Sequence, residues 1–231
     1  MTTPLINILE KNRHQYYPVV PFEPGKDKLL KMDFTDANKD LTKNVIEDVE
    51  LFSEYVHKEL QQAGARYGIG GYAENRTVYS RSKVFDAVDG TEPRRLHLGT
   101  DIWGKAGTPV FAPFGGMLHS FKFNDHYGDY GATIILLHQL DGYAFYTLYG
   151  HVSLKDIALV DGQYFNRGQE FAHFGVPEEN GHWPPHLHFQ IIENIELKEG
   201  DYPGVCKMSD KNYYLKNCPD ADLILQMNKF I

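Results

Sequence analysis

The segment Pro184-Pro185-His186-Leu187-His188-Phe189-Gln190-Ile191-Ile192 restricts the fold more than any other stretch of the chain. Its side chains alternate in character, and an extended strand sends successive side chains to opposite faces. His186 and His188 therefore share one face. Leu187, Phe189 and Ile191 share the other, which must be buried. Two imidazoles side by side on a strand can ligate one metal, or one can ligate while the other moves protons. A half-exposed strand with two incidental histidines has the same pattern, so the pair needs partners elsewhere.

Such a strand also needs neighbours, and the chain supplies them. Short apolar stretches at 108–111, 116–123, 132–138, 144–148 and 187–192 are cut by Gly, Pro, Asp and Asn. Spacing of roughly ten residues with turn signals between them predicts an antiparallel β core. The 15 Tyr, 14 Phe and 21 Gly fit that reading. Residues 66–71 and 77–80 are expected to pair as a hairpin around Glu74-Asn75. Ahead of them, Val45, Val49, Phe52, Val56 and Leu60 recur at three- and four-residue steps. That stripe predicts one amphipathic helix over 42–63, stopped at Gly64. Residues 1–40 are expected to be irregular, because Pro4, Pro18, Pro21 and Pro24 interrupt helices. Residues 17–22 are apolar enough to pack. A short helix is expected at 221–228. The chain thus divides into an N-terminal extension, 1–64, and a β domain, 65–231.

The formal net charge of -8 and the lack of any Lys/Arg cluster argue against a nucleic-acid partner. The two cysteines, Cys206 and Cys218, are expected as free thiols. Residues 1–17 carry Glu10, Lys11, Arg13 and His14 where a signal peptide needs an apolar core. No stretch approaches the roughly 20 apolar residues of a membrane span. The expectation is a cytoplasmic protein, or an exported one if the true start lies upstream.

Two further segments bear on the histidine pair. In Arg95-Leu96-His97-Leu98-Gly99-Thr100-Asp101, His97 and Asp101 lie four apart, and Gly99 between them permits a bend that lets both converge. Imidazole nitrogen and carboxylate oxygen are natural zinc ligands. His151 ends Tyr149-Gly150-His151, where a strand should meet a loop. Together, four His and one Asp at the edges of β segments match a zinc site with three protein ligands and one open position, with two histidines left for acid–base work. His138, inside an apolar strand, reads as structural. His119, His126, His173 and His182 have no partner at useful spacing. Trp103 and Trp183 read as packing, with Trp183 at the rim of a groove. Arg94 and Arg95 read as a solvated turn, although either could meet a substrate carboxylate. No Ser or Cys sits in a nucleophile motif.

These segments resemble the lysostaphin/LytM family of zinc metallopeptidases. The likeness runs from His97 to Gln190. It takes in His97-Leu98-Gly99-Thr100-Asp101, Gly107-Thr108-Pro109-Val110-Phe111-Ala112-Pro113, Gly115-Gly116, Tyr130-Gly131, His138, Tyr149-Gly150-His151, Gly162, Gly168-Gln169 and Pro185-His186-Leu187-His188-Phe189. The resemblance implies a mainly β fold with a two-sheet antiparallel core and a groove across the site. It implies His97, Asp101 and His188 as ligands of one Zn2+, and His151 and His186 as catalytic histidines that do not ligate. It implies a metallopeptidase acting on a peptide or peptidoglycan-derived substrate. The segment Asn180-Gly181-His182-Trp183-Pro184-Pro185 departs from the Ser, Thr and Gly usual in that family. A non-catalytic zinc-binding module, or an amidase on a small non-peptidoglycan substrate, is the alternative.

Overall fold

A computed structural model describes residues 3–86 and 92–231. The fold is mainly β. Twelve strands run in chain order: β1 (Leu29–Lys31), β2 (Tyr67–Gly70), β3 (Leu96–His97), β4 (Thr100–Trp103), β5 (Pro109–Phe111), β6 (Gly116–Asn124), β7 (Gly131–Leu140), β8 (Tyr143–Val152), β9 (Tyr164–Phe165), β10 (Glu170–His173), β11 (His186–Ile192) and β12 (Val205–Cys206). Eight of them form one sheet in the order β1-β2-β4-β11-β8-β7-β6-β9, and β10-β5 and β12-β3 are two-stranded sheets. The predicted strands at 116–123, 132–138, 144–148 and 187–192 fall within β6, β7, β8 and β11, and the one at 108–111 begins one residue before β5. Every pairing is antiparallel except β1 with β2, which is parallel. A parallel pair needs a long crossover. Here it is helical, formed by α2 (Lys43–Glu47) and α3 (Val49–Ala63).

The helix expected over 42–63 is therefore two helices. Asp48 leaves the helical region (φ -103, ψ 118), and its carboxylate accepts from the amides of Glu50 and Leu51. An Asp that caps a new helix ends the old one. Gly64 closes α3 in the left-handed conformation (φ 60), as the sequence suggested.

Three other local expectations are corrected. Residues 1–40 are not irregular throughout. Pro4 opens helix α1 (Pro4–Asn12), capped by Thr3, because proline at a first turn has no amide hydrogen to waste. Residues 66–71 and 77–80 do not pair as a hairpin: β2 lies against β1 and β4, while Thr77–Arg81 is a 3-10 helix. The closing helix over 221–228 shrinks to Asp222–Leu225, ended by Gln226 in the left-handed region (φ 52).

One face of the large sheet carries the main core, with Ile102, Ile134, Tyr149, Leu187, Phe189 and Ile191 all buried. Leu5, Leu9, Val19 and Val20 from the N-terminal segment join it. A second cluster lies beside the histidines. There Phe34 and Phe52 pack on Trp103, and Phe52 also meets Trp183. Cys206 and Cys218 are free and buried, and burial pushes their thiols up to about 11 and about 12. No helix among the described residues is long and apolar enough to cross a membrane.

Candidate metal centre

The strand β11 lies between β4 and β8. Its apolar residues enter the core, so His186, His188 and Gln190 occupy the opposite face. Register then sets the neighbours: His188 stands opposite Asp101 on β4 and Gly150 on β8. His97 arrives from β3, held against β12 by the pairing of His97 with Val205. The three predicted ligands are thus brought together, all buried, with one donor atom of each inside a common sphere.

The distances are short. His97 Nε2 lies 2.9 Å from His188 Nδ1 and 3.3 Å from Asp101 Oδ1, and His188 Nδ1 lies 3.1 Å from Asp101 Oδ1. Tetrahedral zinc with bonds of about 2.0–2.2 Å needs donor–donor edges of about 3.3–3.6 Å. The triangle is close to that size.

Proton bookkeeping strengthens the fit. His97 Nδ1 donates to the carbonyl of Gly71 at 3.1 Å, leaving Nε2 as a lone pair. His188 Nε2 donates to Gln190 Oε1 at 2.8 Å, leaving Nδ1 as a lone pair. The Gln190 amide is oriented by its own donation from Nε2 to the carbonyl of Pro203 at 3.1 Å. Asp101 Oδ2 is held by the guanidinium of Arg76, which also binds Glu74 at 2.7 Å through Nε, so Oδ1 alone faces the imidazoles. Burial would raise the Asp101 carboxyl, but His97 and Arg76 beside it hold it well below the usual range. Burial, with Arg76 nearby, lowers His97 to about 3. Three unprotonated acceptors therefore point at one spot. Buried acceptors arranged in this way could hold a cation.

Gly99 contributes differently from the bend expected of it. A Cβ there would stand 2.6 Å from the ring of His188 and 2.8 Å from the carbonyl of Phe189. The residue is glycine because the imidazole of His188 occupies the space.

His151 and His186 form a second pair, with ring centroids 4.1 Å apart. His151 ends up in the left-handed region (φ 62), where strand β8 gives way to a loop. Its Nδ1 donates to the carbonyl of Asn180 at 2.8 Å, and His186 Nδ1 donates to the carbonyl of Pro184 at 2.8 Å. Each thus keeps Nε2 as a free proton acceptor. Burial lowers both: His186 to about 4, and His151 well below its usual value with His186 adding to the effect. Neutral imidazoles can accept protons. His186 lies flat on Trp103, with centroids 3.9 Å apart and planes 15° from parallel.

His138 is structural, bridging the carbonyl of Gly115 and the hydroxyl of Thr147 at 2.9 and 2.6 Å. Arg94 and Arg95 are spent on Val84 and on Asp86, the latter at 2.8 Å. Trp183 is 3% exposed and packs beside both catalytic candidates. The sequence assigns no place at the site to Arg76, Glu74 or Gln190. Gln190 was within reach, since it shares the parity of His186 and His188. Arg76 was not, since its segment read as a turn.

Known proteins carry related segments. The model of the peptidase family M23 matches residues 95–199. An L-Ala–D-Glu endopeptidase of Bacillus subtilis (strain 168) is 27% identical over 162 residues, covering 68% of this chain and 46% of that protein. The chain thus matches less than half the length of this relative. Among solved structures, the lysostaphin catalytic domain of Staphylococcus simulans is 21% identical, covering 70% of this chain and 96% of that one, with a TM-score of 0.42. A zinc-containing peptidase from Vibrio cholerae is 28% identical, covering 42% of this chain and 27% of that one, with a TM-score of 0.34.

Proposed function

We propose that this chain, whose residues 95–199 match the model of peptidase family M23, is a zinc-dependent endopeptidase whose metal is held by His97, Asp101 and His188. The observation that carries the reading is the convergence of three lone-pair donors, 2.9–3.3 Å apart, each with its other side fixed by a hydrogen bond or ion pair. Two nitrogens and one carboxylate suit zinc, and three protein ligands leave one position for water or substrate. When bound, the ion would supply Lewis-acid polarisation of the scissile carbonyl and a lowered pKa for water.

The protein's own share of the chemistry falls to His151 and His186. Each keeps a proton-accepting Nε2 in a water-poor pocket, and each is locked in orientation through Nδ1. One takes the proton of the attacking water. The other, once its Nε2 has received that proton, delivers it to the leaving amine or holds the developing oxyanion with it. Arg76 keeps Asp101 ionised and turned so that only Oδ1 faces the ligand cluster. Trp103 supports the ring of His186 by stacking.

The Bacillus subtilis relative is an L-Ala–D-Glu endopeptidase, which puts such cell-wall-type peptides first among substrates. The test is metal analysis of the purified protein together with a screen of L-Ala–D-Glu and glycine-rich peptides. Stoichiometric zinc and cleavage abolished by a chelator are expected, with both lost together in His188→Ala. Full metal occupancy in His188→Ala would overturn the ligand set, and metal without turnover on any peptide would overturn the enzyme.

A further inference from the structure

Among the described residues, four buried side-chain atoms have no hydrogen-bond partner: Arg76 Nη2, Arg81 Nη1, Trp103 Nε1 and Trp183 Nε1. All four are donors. Arg76, Trp103 and Trp183 line one cavity of about 40 Å³, which also reaches Asp101, His151, His186 and His188. Arg81 stacks on Trp183, its guanidinium carbon 4.6 Å from the ring centroid. Buried donors are normally paired, so a group of them around one cavity marks the place of an acceptor-rich ligand.

Charge points the same way. Arg76 contributes one positive charge, and Glu74 and Asp101 each contribute one negative charge. A divalent ion on the triad leaves the buried site at +1, and a single carboxylate brings it to zero. Guanidinium is the side chain best shaped to receive a carboxylate. Arg76 Nε and Nη1 are already engaged, which leaves Nη2 for a ligand.

The walls limit size. Val78, Tyr79, Phe85, Trp103, Tyr130 and Trp183 surround the cavity. Arg76 and Trp183 both stand against Tyr79, at 6.0 and 6.1 Å from its ring. His151, His186 and His188 are only 6%, 2% and 3% exposed. A space this narrow accepts one small end group, such as a carboxylate, more readily than the middle of a polymer strand.

We propose that the cavity beside the triad binds a free carboxylate of a short peptide substrate, through Arg76 Nη2 and Trp183 Nε1. The inference rests on the hydrolase reading and names the substrate class of that same site.

The test compares N-acetyl-Ala-Ala with its C-terminal amide by calorimetry on zinc-loaded protein. The acid is expected to bind at least about tenfold tighter, the size of one charge-assisted hydrogen bond. A metal also attracts carboxylates, so the deciding quantity is the loss of that preference in Arg76→Lys and Trp183→Phe at unchanged zinc content. Trp183→Phe removes the indole N–H together with part of the ring and leaves the ligands of the triad untouched, so with the amide's affinity unchanged as the control for packing it decides the matter if Arg76→Lys loses zinc. Equal affinity for acid and amide in the wild type, or a preference retained in Trp183→Phe, overturns the proposal. The hydrolase reading fails separately: the acid would bind with preference while no peptide is cut. If only the carboxylate pocket is wrong, peptides are cut without regard to a free terminus.

Discussion

His188 donates its Nε2 proton to Oε1 of Gln190, two residues along the same strand, at 2.8 Å. The bond fixes which imidazole nitrogen faces His97 and Asp101. Gln190 is itself fixed by the carbonyl of Pro203 and by the buried thiol of Cys218. Partners of this kind set ligand tautomer and orientation, and losing one typically weakens metal binding about 10–100-fold. Gln190→Ala should therefore raise the zinc dissociation constant by about that factor in competition with a chromogenic chelator. Gln190→Glu, which keeps an acceptor for Nε2, should bind closer to the wild type. Unaltered zinc affinity in a folded Gln190→Ala would show that the tautomer needs no support.

His151 should separate chemistry from metal binding. Its ring touches His186, and its Nδ1 is tied to Asn180. His151→Ala should retain zinc while turnover falls by about 10²–10⁴, the usual contribution of a positioned acid or base. Hydrolysis at the wild-type rate would take the residue out of the mechanism.

His138 offers a test of stability away from the His97, Asp101 and His188 cluster. Burial lowers it to about 4. In the unfolded chain it protonates near pH 6.5. As pH falls from about 6.5 to 4, the unfolded state takes up a proton that the folded state refuses, so stability drops with falling pH and levels off below about 4. At roughly 1.4 kcal/mol per unit, one such group amounts to about 3 kcal/mol. His138→Asn removes this titration, while other buried histidines titrate in both proteins. The stability difference between wild type and variant, measured by denaturant at several pH values, should therefore change across that window. Parallel curves would mean His138 keeps an ordinary pKa in the fold.

Much of this arrangement was legible because β11 follows the simplest rule in the sequence. Alternation placed His186 with His188, and Leu187 with Phe189 and Ile191, before any contact was known. The five candidate residues do come together, and the β segments fall where apolar runs and turn residues put them. What escaped notice depended on tertiary partners. Arg76 lies in a segment that reads as a turn and gains its meaning only against Asp101, 25 residues later. The helix break at Asp48 was hidden inside a continuous apolar stripe. Prolines in the first 40 residues were read as breakers, although Pro4 starts a helix. Gly99 looked like a hinge, yet its role is set by a ring from residue 188.

The placement of β11 between β4 and β8 also limits how a protein of this kind can change. Moving its register by a single residue would exchange Phe189 for His188 in the interior and destroy core and chemistry at once. Selection for a new substrate therefore has little room on the strand itself. Variation is free to accumulate in the coverings over it, around Val78, Tyr79 and Phe85 on one side and Gly204 and Val205 on the other, so diversity in what is bound would be recorded there while the histidine–aspartate cluster stays the same.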